Sequence, residues 1–417
     1  MANAGDGRTV QIRMAARMLE GQNTTVFQFS RPTAEAAAGR QLPSHADVRL
    51  TVRVDIEDRN FHWETKRNGG ADFHFSSHVR LLDSRPPDQP NPNSSGPVGF
   101  VFSPAVDRQL RVFADSGRYH AQPEWSENIP HPVEQSRGQP GAGDAFSQGW
   151  FDVPLPKGAA ANLIVTAERT DPDKAELAPP TFQHEAPPSD SAAPESQLRD
   201  AIKAFVVRRG SGKTVIAGYP WFLDWGRDSF ICARGLLAAG MVDEVKQLLV
   251  TFARFEKDGT LPNTIFGEDA SNRDTSDAPL WFGVVCEELA ALQGPVEGIP
   301  LEGGRTIGAV LESIGVNYAR GTPNGIHMDP DSALIWSPSH FTWMDTNYPA
   351  CTPREGYPVE IQALWLRLLR QLARIGSPDK RDHWRSLAEQ ALASIKNLFW
   401  LDSPGYFADV LLSPAQQ

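Results

Sequence analysis

Pro358-Val-Glu-Ile-Gln-Ala-Leu-Trp-Leu-Arg-Leu-Leu-Arg-Gln-Leu372 reads as a helix. Ile361, Leu364, Trp365, Leu368, Leu369 and Leu372 recur every three or four residues and share one face. Pro358 sits near the start, where a missing N–H costs nothing. The same period appears in Val242, Val245, Leu248, Leu249 and Phe252, in Ile307, Val310, Leu311, Ile314 and Tyr318, and in Trp384, Leu387, Ala388, Ala391, Ile395 and Leu398. Asp277 is a candidate N-cap, with Pro279 in the first turn of a helix that carries Trp281. About seven helices are expected between residues 195 and 400, joined by long loops. Helix after helix without a strand pattern points to an α-hairpin array, either an α/α barrel or a solenoid. No short repeat is evident, which disfavours the solenoid.

Upstream the period changes. Val48, Leu50, Val52, Val54 and Ile56 alternate as in a half-buried strand. Val26 with Gln28, Phe27 with Phe29, and Phe73 with Phe75 alternate too, and Val101-Phe102, Leu110 to Phe113 and Leu163 to Val165 are short apolar runs. Turn-rich loops separate them, notably 83–97 and 134–143. Many short strands with Gly/Pro-rich turns indicate an antiparallel β-sandwich. Residues 171–195 are rich in Pro, Ala, Ser and acids and read as a linker. The expected organisation is therefore a β-rich domain over 1–170, a linker over 171–195, and a helical domain over 196–417.

The 417 residues carry a formal net charge of −11. An acidic surface repels phosphate backbones, so nucleic acid is not an expected partner. No apolar run approaches the ~20 residues that span a bilayer, so no membrane partner is expected either. The first residues lack the basic and apolar regions of a signal peptide. The three cysteines, Cys232, Cys286 and Cys351, are odd in number and far apart. They argue for a reducing, cytoplasmic location and against disulfides or a structural zinc site. Asn23-Thr-Thr and Asn93-Ser-Ser match the glycosylation pattern, which has no meaning without secretion.

Three loop clusters combine acids with aromatics. They are Tyr219-Pro-Trp-Phe-Leu-Asp-Trp-Gly-Arg-Asp228, Asn272 to Trp281, and Phe341-Thr-Trp-Met-Asp345 followed by Thr352-Pro-Arg-Glu-Gly356 and Val359-Glu-Ile361. Such pairings suit sugars, because aromatic faces stack on the ring while carboxylates bind hydroxyls or move protons. Each also has a bland reading as a capped helix start, and Asp228 in particular can cap a helix over 229–239. All three enter helices, so in an α/α barrel they would meet at one end. Gly210-Ser-Gly-Lys-Thr214 is not a phosphate loop: the pattern asks for Gly at position 207, where the chain has Val207. His74 and His78 have metal-like spacing only on a helix, and the strand-like alternation around them favours a structural role. His340 reads as a packed loop histidine near the acidic loop.

These residues resemble the glycogen debranching enzyme family, bacterial type, in its amylo-α-1,6-glucosidase part. The resemblance rests on Gly218 to Asp228, Gly259-Thr-Leu-Pro-Asn263, Asn272 to Trp281, Thr342 to Asp345, Thr352 to Gly356 and Pro358 to Ile361, in order and spacing. Val54-Asp-Ile-Glu-Asp-Arg-Asn-Phe-His62 resembles the family's β-rich N-terminal domain. The resemblance implies a β-sandwich followed by an (α/α)6 barrel, incomplete here. It implies hydrolysis of an α-1,6-linked glucose stub on glycogen or another branched α-glucan, with inversion and without a metal or cofactor. Asp345 falls at the general acid, expected to stay protonated through burial against Trp343 and nearby carboxylates. Substrate contacts are expected from Trp221, Asp224, Trp225, Arg227, Asp228, Asn263, Asp277, Trp281, Trp343, Arg354, Glu355 and Glu360. The general base is expected beyond Gln417, which leaves a non-catalytic glucan-binding remnant as an alternative. A relative of trehalase or mannosidase is another. An unfinished barrel would also leave Trp384, Ile395 and Phe399 in an exposed apolar patch.

Overall fold

The computed structural model describes residues 2–3, 6–19, 21–33, 40–60, 62–82, 98–169, 194–346 and 352–412. Phe61, the 83–97 loop with Asn93, residues 171–193 of the expected linker, and Cys351 lie outside the described residues. The chain divides into two compact units, Met1–Pro187 and Pro188–Gln417. The first is built on β-sheets and the second on helices.

The first unit holds β1 (Arg13–Met18), β2 (Thr24–Ser30), β3 (Arg49–Ile56), β4 (Val79–Leu81), β5 (Val98–Ala105), β6 (Arg108–Ala114), β7 (Arg118–His120), β8 (Glu124–Pro130), β9 (Ala142–Pro154) and β10 (Ala160–Thr166). Six strands pair antiparallel in the order β1-β2-β10-β6-β5-β4, and a second sheet runs β8-β9-β3 with β7 also on β9. Phe29, Phe100, Phe102, Val112 and Leu163 from the first sheet share one core with Ile56, Phe146, Phe151 and Val153 from the second. The period of two along β3 does what it promised: Leu50, Val52, Val54 and Ile56 face inward while Arg49, Thr51, Arg53 and Asp55 stay exposed.

The strand expected around Phe73 and Phe75 is instead a helix, α1 (Gly69–Ser77). Asn68 caps it, its side-chain oxygen accepting from the Ala71 N–H at 3.0 Å. Phe75 is buried and stacks between Phe102 and Phe146, while Phe73 is exposed. Residues two apart share one face of a strand but lie about 200° apart on a helix, which is why one of the pair is buried and the other exposed. His74 meets Asp58 at 2.9 Å, and His78 Nδ1 meets the His74 carbonyl. The structural reading of this pair stands on those partners. Residues 134–143 are not all loop: a short helix, α2 (Pro132–Ser136), overlaps their start and β9 begins at Ala142.

The second unit contains seven α-helices among the described residues: α3 (Pro194–Lys203), α4 (Gly226–Ala238), α5 (Val242–Ala253), α6 (Ala278–Gln293), α7 (Ile307–Arg320), α8 (Val359–Ile375) and α9 (Pro378–Ser394). The apolar faces read from the sequence are the buried faces. Val245, Leu248, Leu249 and Phe252, then Ile307, Val310, Leu311, Ile314 and Tyr318, then Ile361, Trp365, Leu368, Leu369 and Leu372 join one core. Each such side chain stabilises by about 1.5–3 kcal/mol through burial. Helices α4, α6 and α8 pack in a row, while α5, α7 and α9 pack onto its members. Gly315 makes one crossing possible, because a Cβ there would lie 2.4 Å from Leu372 Cδ1.

Helix α9 stops at Ser394, and Ile395–Phe399 continue as a wider helical turn. Trp384 and Phe399 are buried, and Ile395 is half-buried against the cores. The apolar patch expected from these three is therefore not there. Phe399 packs on Leu334 and Tyr357. Exposed aromatics occur instead on the hairpin of Trp400–Leu401 with Tyr406–Phe407. Gly210-Ser211 turn a hairpin of β11 (Val206–Arg209) and β12 (Gly212–Val215), and Lys213 pairs with Glu244. That strand–turn–strand is not a phosphate loop.

Candidate active site

The loops that enter α4, α6 and α8 are sewn together by main-chain bonds. Asp224–Trp225 pair with Thr264–Ile265. The Gly226 N–H donates to the Asn263 carbonyl at 2.8 Å, and the Asn263 N–H donates to the Asn272 carbonyl at 2.8 Å. The Ser276 N–H donates to the Phe341 carbonyl at 2.7 Å. Ser337 and Gly356 exchange N–H···O bonds of 2.7 and 3.1 Å, and the His340 N–H donates to the Pro353 carbonyl. Gly226 permits the tightest of these approaches, since a Cβ there would lie 2.7 Å from the Pro262 carbonyl oxygen. The expected meeting of three acid-and-aromatic clusters thus has a hydrogen-bonded frame.

At its centre is Arg227, which is 9% exposed. Its Nε donates to Asp277 Oδ2 at 2.5 Å, one terminal nitrogen to Asp345 Oδ2 at 3.0 Å, and the other to the Thr342 carbonyl at 2.6 Å. Burial opposes the charge on Arg227, but Asp277 and Asp345 together outweigh it and raise its pKa. Asp277 is buried, and its other oxygen accepts from Thr275 Oγ1 at 2.8 Å. It occupies the N-cap position of α6 without making a side-chain cap bond. Thr275 Oγ1 takes the Ala278 N–H in its place, at 3.3 Å. Asp345 keeps 31% of its side-chain surface and Trp343 is 57% exposed. The burial expected between these two is small, and the carboxylate of Asp345 meets a guanidinium instead.

Asp228 is not the cap of α4. The helix begins at Gly226 with Trp225 in the cap position, so Asp228 lies within the first turn. Asp228 is exposed. Desolvation by the surrounding protein raises its pKa; the Arg227 charge pulls it down, and Asp345 and Asp277 push it up.

The remaining candidates differ in their surroundings. Asp224 is buried with its carboxylate gripped by Arg209 at 2.6 and 2.7 Å and by Thr214 Oγ1 at 3.0 Å. Asn263 is buried, and its Oδ1 has no hydrogen-bond partner among the described residues. Trp221, Trp225 and Trp281 are half-buried, and the Arg234 guanidinium lies 5.7 Å from the Trp281 ring. Arg354 is buried, with a left-handed φ of 52°, and lies 5.6 Å from the Trp343 ring centroid. It donates to Glu360 Oε2 at 2.5 Å and to Asp409. Burial opposes its charge and these two carboxylates raise its pKa. Glu355 is exposed.

Thr275, Thr342 and Asp409 were not among the residues singled out. Thr275 and Thr342 stand in the quoted stretches, but only their neighbours carried charge. Asp409 is more than fifty residues from its partner Arg354, beyond any local signal.

A family model described as amylo-alpha-1,6-glucosidase matches residues 200–417, and one described as glycogen debranching enzyme N terminal matches residues 6–162. The chain belongs to the glycogen debranching enzyme family. Both halves of the resemblance read from the sequence are thereby shown. Among solved structures the chain is similar to a family GH92 inverting mannosidase from Bacteroides thetaiotaomicron, at 10% identity and a TM-score of 0.38. The match covers 93% of this chain and 50% of that one, so the chain spans half the length of that structure. No curated protein matches the sequence. Among the described residues no helix is long and apolar enough to cross a membrane.

Proposed function

We propose that the chain is an amylo-α-1,6-glucosidase that removes single α-1,6-linked glucose stubs from glycogen or limit dextrin in the cytoplasm, with inversion. Asp345 is the general acid that protonates the leaving glycosidic oxygen, and Trp225, Asp228, Trp281 and Trp343 line the glucose subsite. The observation that carries this reading is the Arg227 junction, which brings Asp345, Asp277 and the start of α4 together from three separate stretches of chain. The fold reading goes with it: a β-sandwich over 1–170, a linker over 171–195, and part of an (α/α)6 barrel over 196–417. The row of α4, α6 and α8 flanked by α5, α7 and α9 supports the barrel.

Inversion needs a second carboxylate about 6.5–9.5 Å from the acid to activate water on the opposite ring face. Glu360 is tied to Arg354, and neither it nor Glu355 is assigned that role. The test is incubation of the chain with a 6-O-α-glucosyl maltooligosaccharide, with the released sugar followed by proton NMR. Any glucose released is expected as the β-anomer. Release of α-glucose would overturn inversion. Glucan binding without release would favour the non-catalytic reading, and hydrolysis of trehalose or a mannoside in its place would change the sugar.

A further inference from the structure

We propose that Arg227, anchored by Asp277, is a positioning residue that sets the carboxylate of Asp345, in place of the sugar contact expected from its sequence position. The inference rests on the hydrolase reading above and deepens it.

Three donors of the guanidinium are engaged by protein. Nε is fixed on Asp277, and the two terminal nitrogens reach the Thr342 carbonyl and the Asp345 side chain. The last two acceptors lie three residues apart on one loop, so the fork clasps that loop at both ends. Arg227 is itself rooted in the first turn of α4, and Asp277 is held by Thr275 at the head of α6. The loop acid is thereby referred to two helices. A free Asp on a loop has two rotatable side-chain bonds. Acid catalysis asks that it stay within hydrogen-bond reach of the glycosidic oxygen, to about 0.5 Å. Arg227 removes that freedom. A planar fork does this and an ammonium does not, because Lys cannot hold three acceptors in one plane. The arginine is almost closed to solvent, while its partner Asp345 keeps an open side. That is the arrangement of a support, with the supported group facing the substrate.

The experiment compares wild type, Arg227→Lys, Thr275→Val, Asp345→Asn and the double variant Arg227→Lys/Asp345→Asn in the 417-residue chain. The readouts are kcat and KM on the glucosyl oligosaccharide, and calorimetric affinity for glucose. Thr275→Val is the milder variant: it removes the hydroxyl that holds Asp277 and takes the Ala278 N–H while leaving Arg227 in place, so it reports even if the arginine variant fails to fold. The expected result is a fall in kcat of about 10- to 100-fold for Arg227→Lys and a smaller one for Thr275→Val. Glucose affinity should stay within about twofold for both. Adding Arg227→Lys to Asp345→Asn should cost little more, because a support without its load has nothing to lose. A loss of glucose affinity with kcat kept would make Arg227 a sugar ligand and overturn the proposal. Multiplying effects in the double variant would also overturn it. If the wild-type chain releases no glucose, the non-catalytic reading of this chain is favoured. The positioning inference is then decided by crystal structures of wild type and Arg227→Lys, in which an unmoved Asp345 carboxylate would overturn it.

Discussion

Arg227 and Arg354 of the helical unit are each held between two carboxylates, and they differ in what lies around them. Arg227 is paired with Asp277, whose side chain is 3% exposed, and with Asp345 at 31%. Arg354 is itself more deeply buried, but its partners Glu360 and Asp409 are 30% and 67% exposed. The same chemistry therefore has two weights. In the first cluster a cation and an anion are both out of water, and removing one strands the other. In the second, water can take over from either carboxylate. The first cluster holds the proposed acid, and the second holds the arginine that underlies Trp343.

The largest effect expected is on rate. Asp345→Asn should leave the fold intact by circular dichroism and lower kcat at least about 10²-fold. Near-normal turnover would remove the reason for setting the first cluster apart. Next comes stability. Arg227→Gln leaves Asp277 buried without its cation and should cost about 3–5 kcal/mol in urea unfolding. Arg354→Gln should cost less, about 1–3 kcal/mol, because its partners rehydrate. Equal losses would show that solvent access to the partners does not separate the two sites. Trp343→Ala should weaken glucan binding by a few fold while Asp345 chemistry on the glucose stub persists.

The smallest effect is a pH dependence. The pKa of Asp228 is raised in the folded chain, so the native state binds a proton more readily than the unfolded one. Stability contributed by this group is present at low pH and falls as pH rises through the window above the ordinary Asp value of about 3.9. Asp228→Asn should therefore stabilise the chain at pH 7 and make no difference near pH 3. A variant equally or less stable than wild type at pH 7 would mean that the helix N-terminus, which favours a charged Asp there, dominates.

Much of this architecture could be read from local pattern. The periodic faces of α5, α7 and α8 are long enough to name the buried residues one by one, and β3 alternates over eight positions. Short signals failed where the pattern was only one pair long, as at Phe73 and Phe75. Others failed where a helix began earlier than expected, as when α4 started at Gly226 and left Asp228 in its first turn. The acids and tryptophans of the site were visible because each stands in a compact motif. Their division of labour was not, because Asp224 and Asp228 look alike in sequence, and only one of them has Arg209 beside it.

The sequence by itself determined the change from strand to helical period, the residues that must be buried, the stretches that carry acids beside aromatics, and the family. These follow from spacing and side-chain chemistry along a few turns of chain. Only the tertiary structure decided which charge answers which. Arg227 finds its acceptors 50, 115 and 118 residues away. Such pairings depend on how helices pack and how closely their entering loops approach. A bond between distant residues exists only once the core between them has closed, and in its low-dielectric surroundings that geometry decides whether a carboxylate anchors, supports or stays free to react.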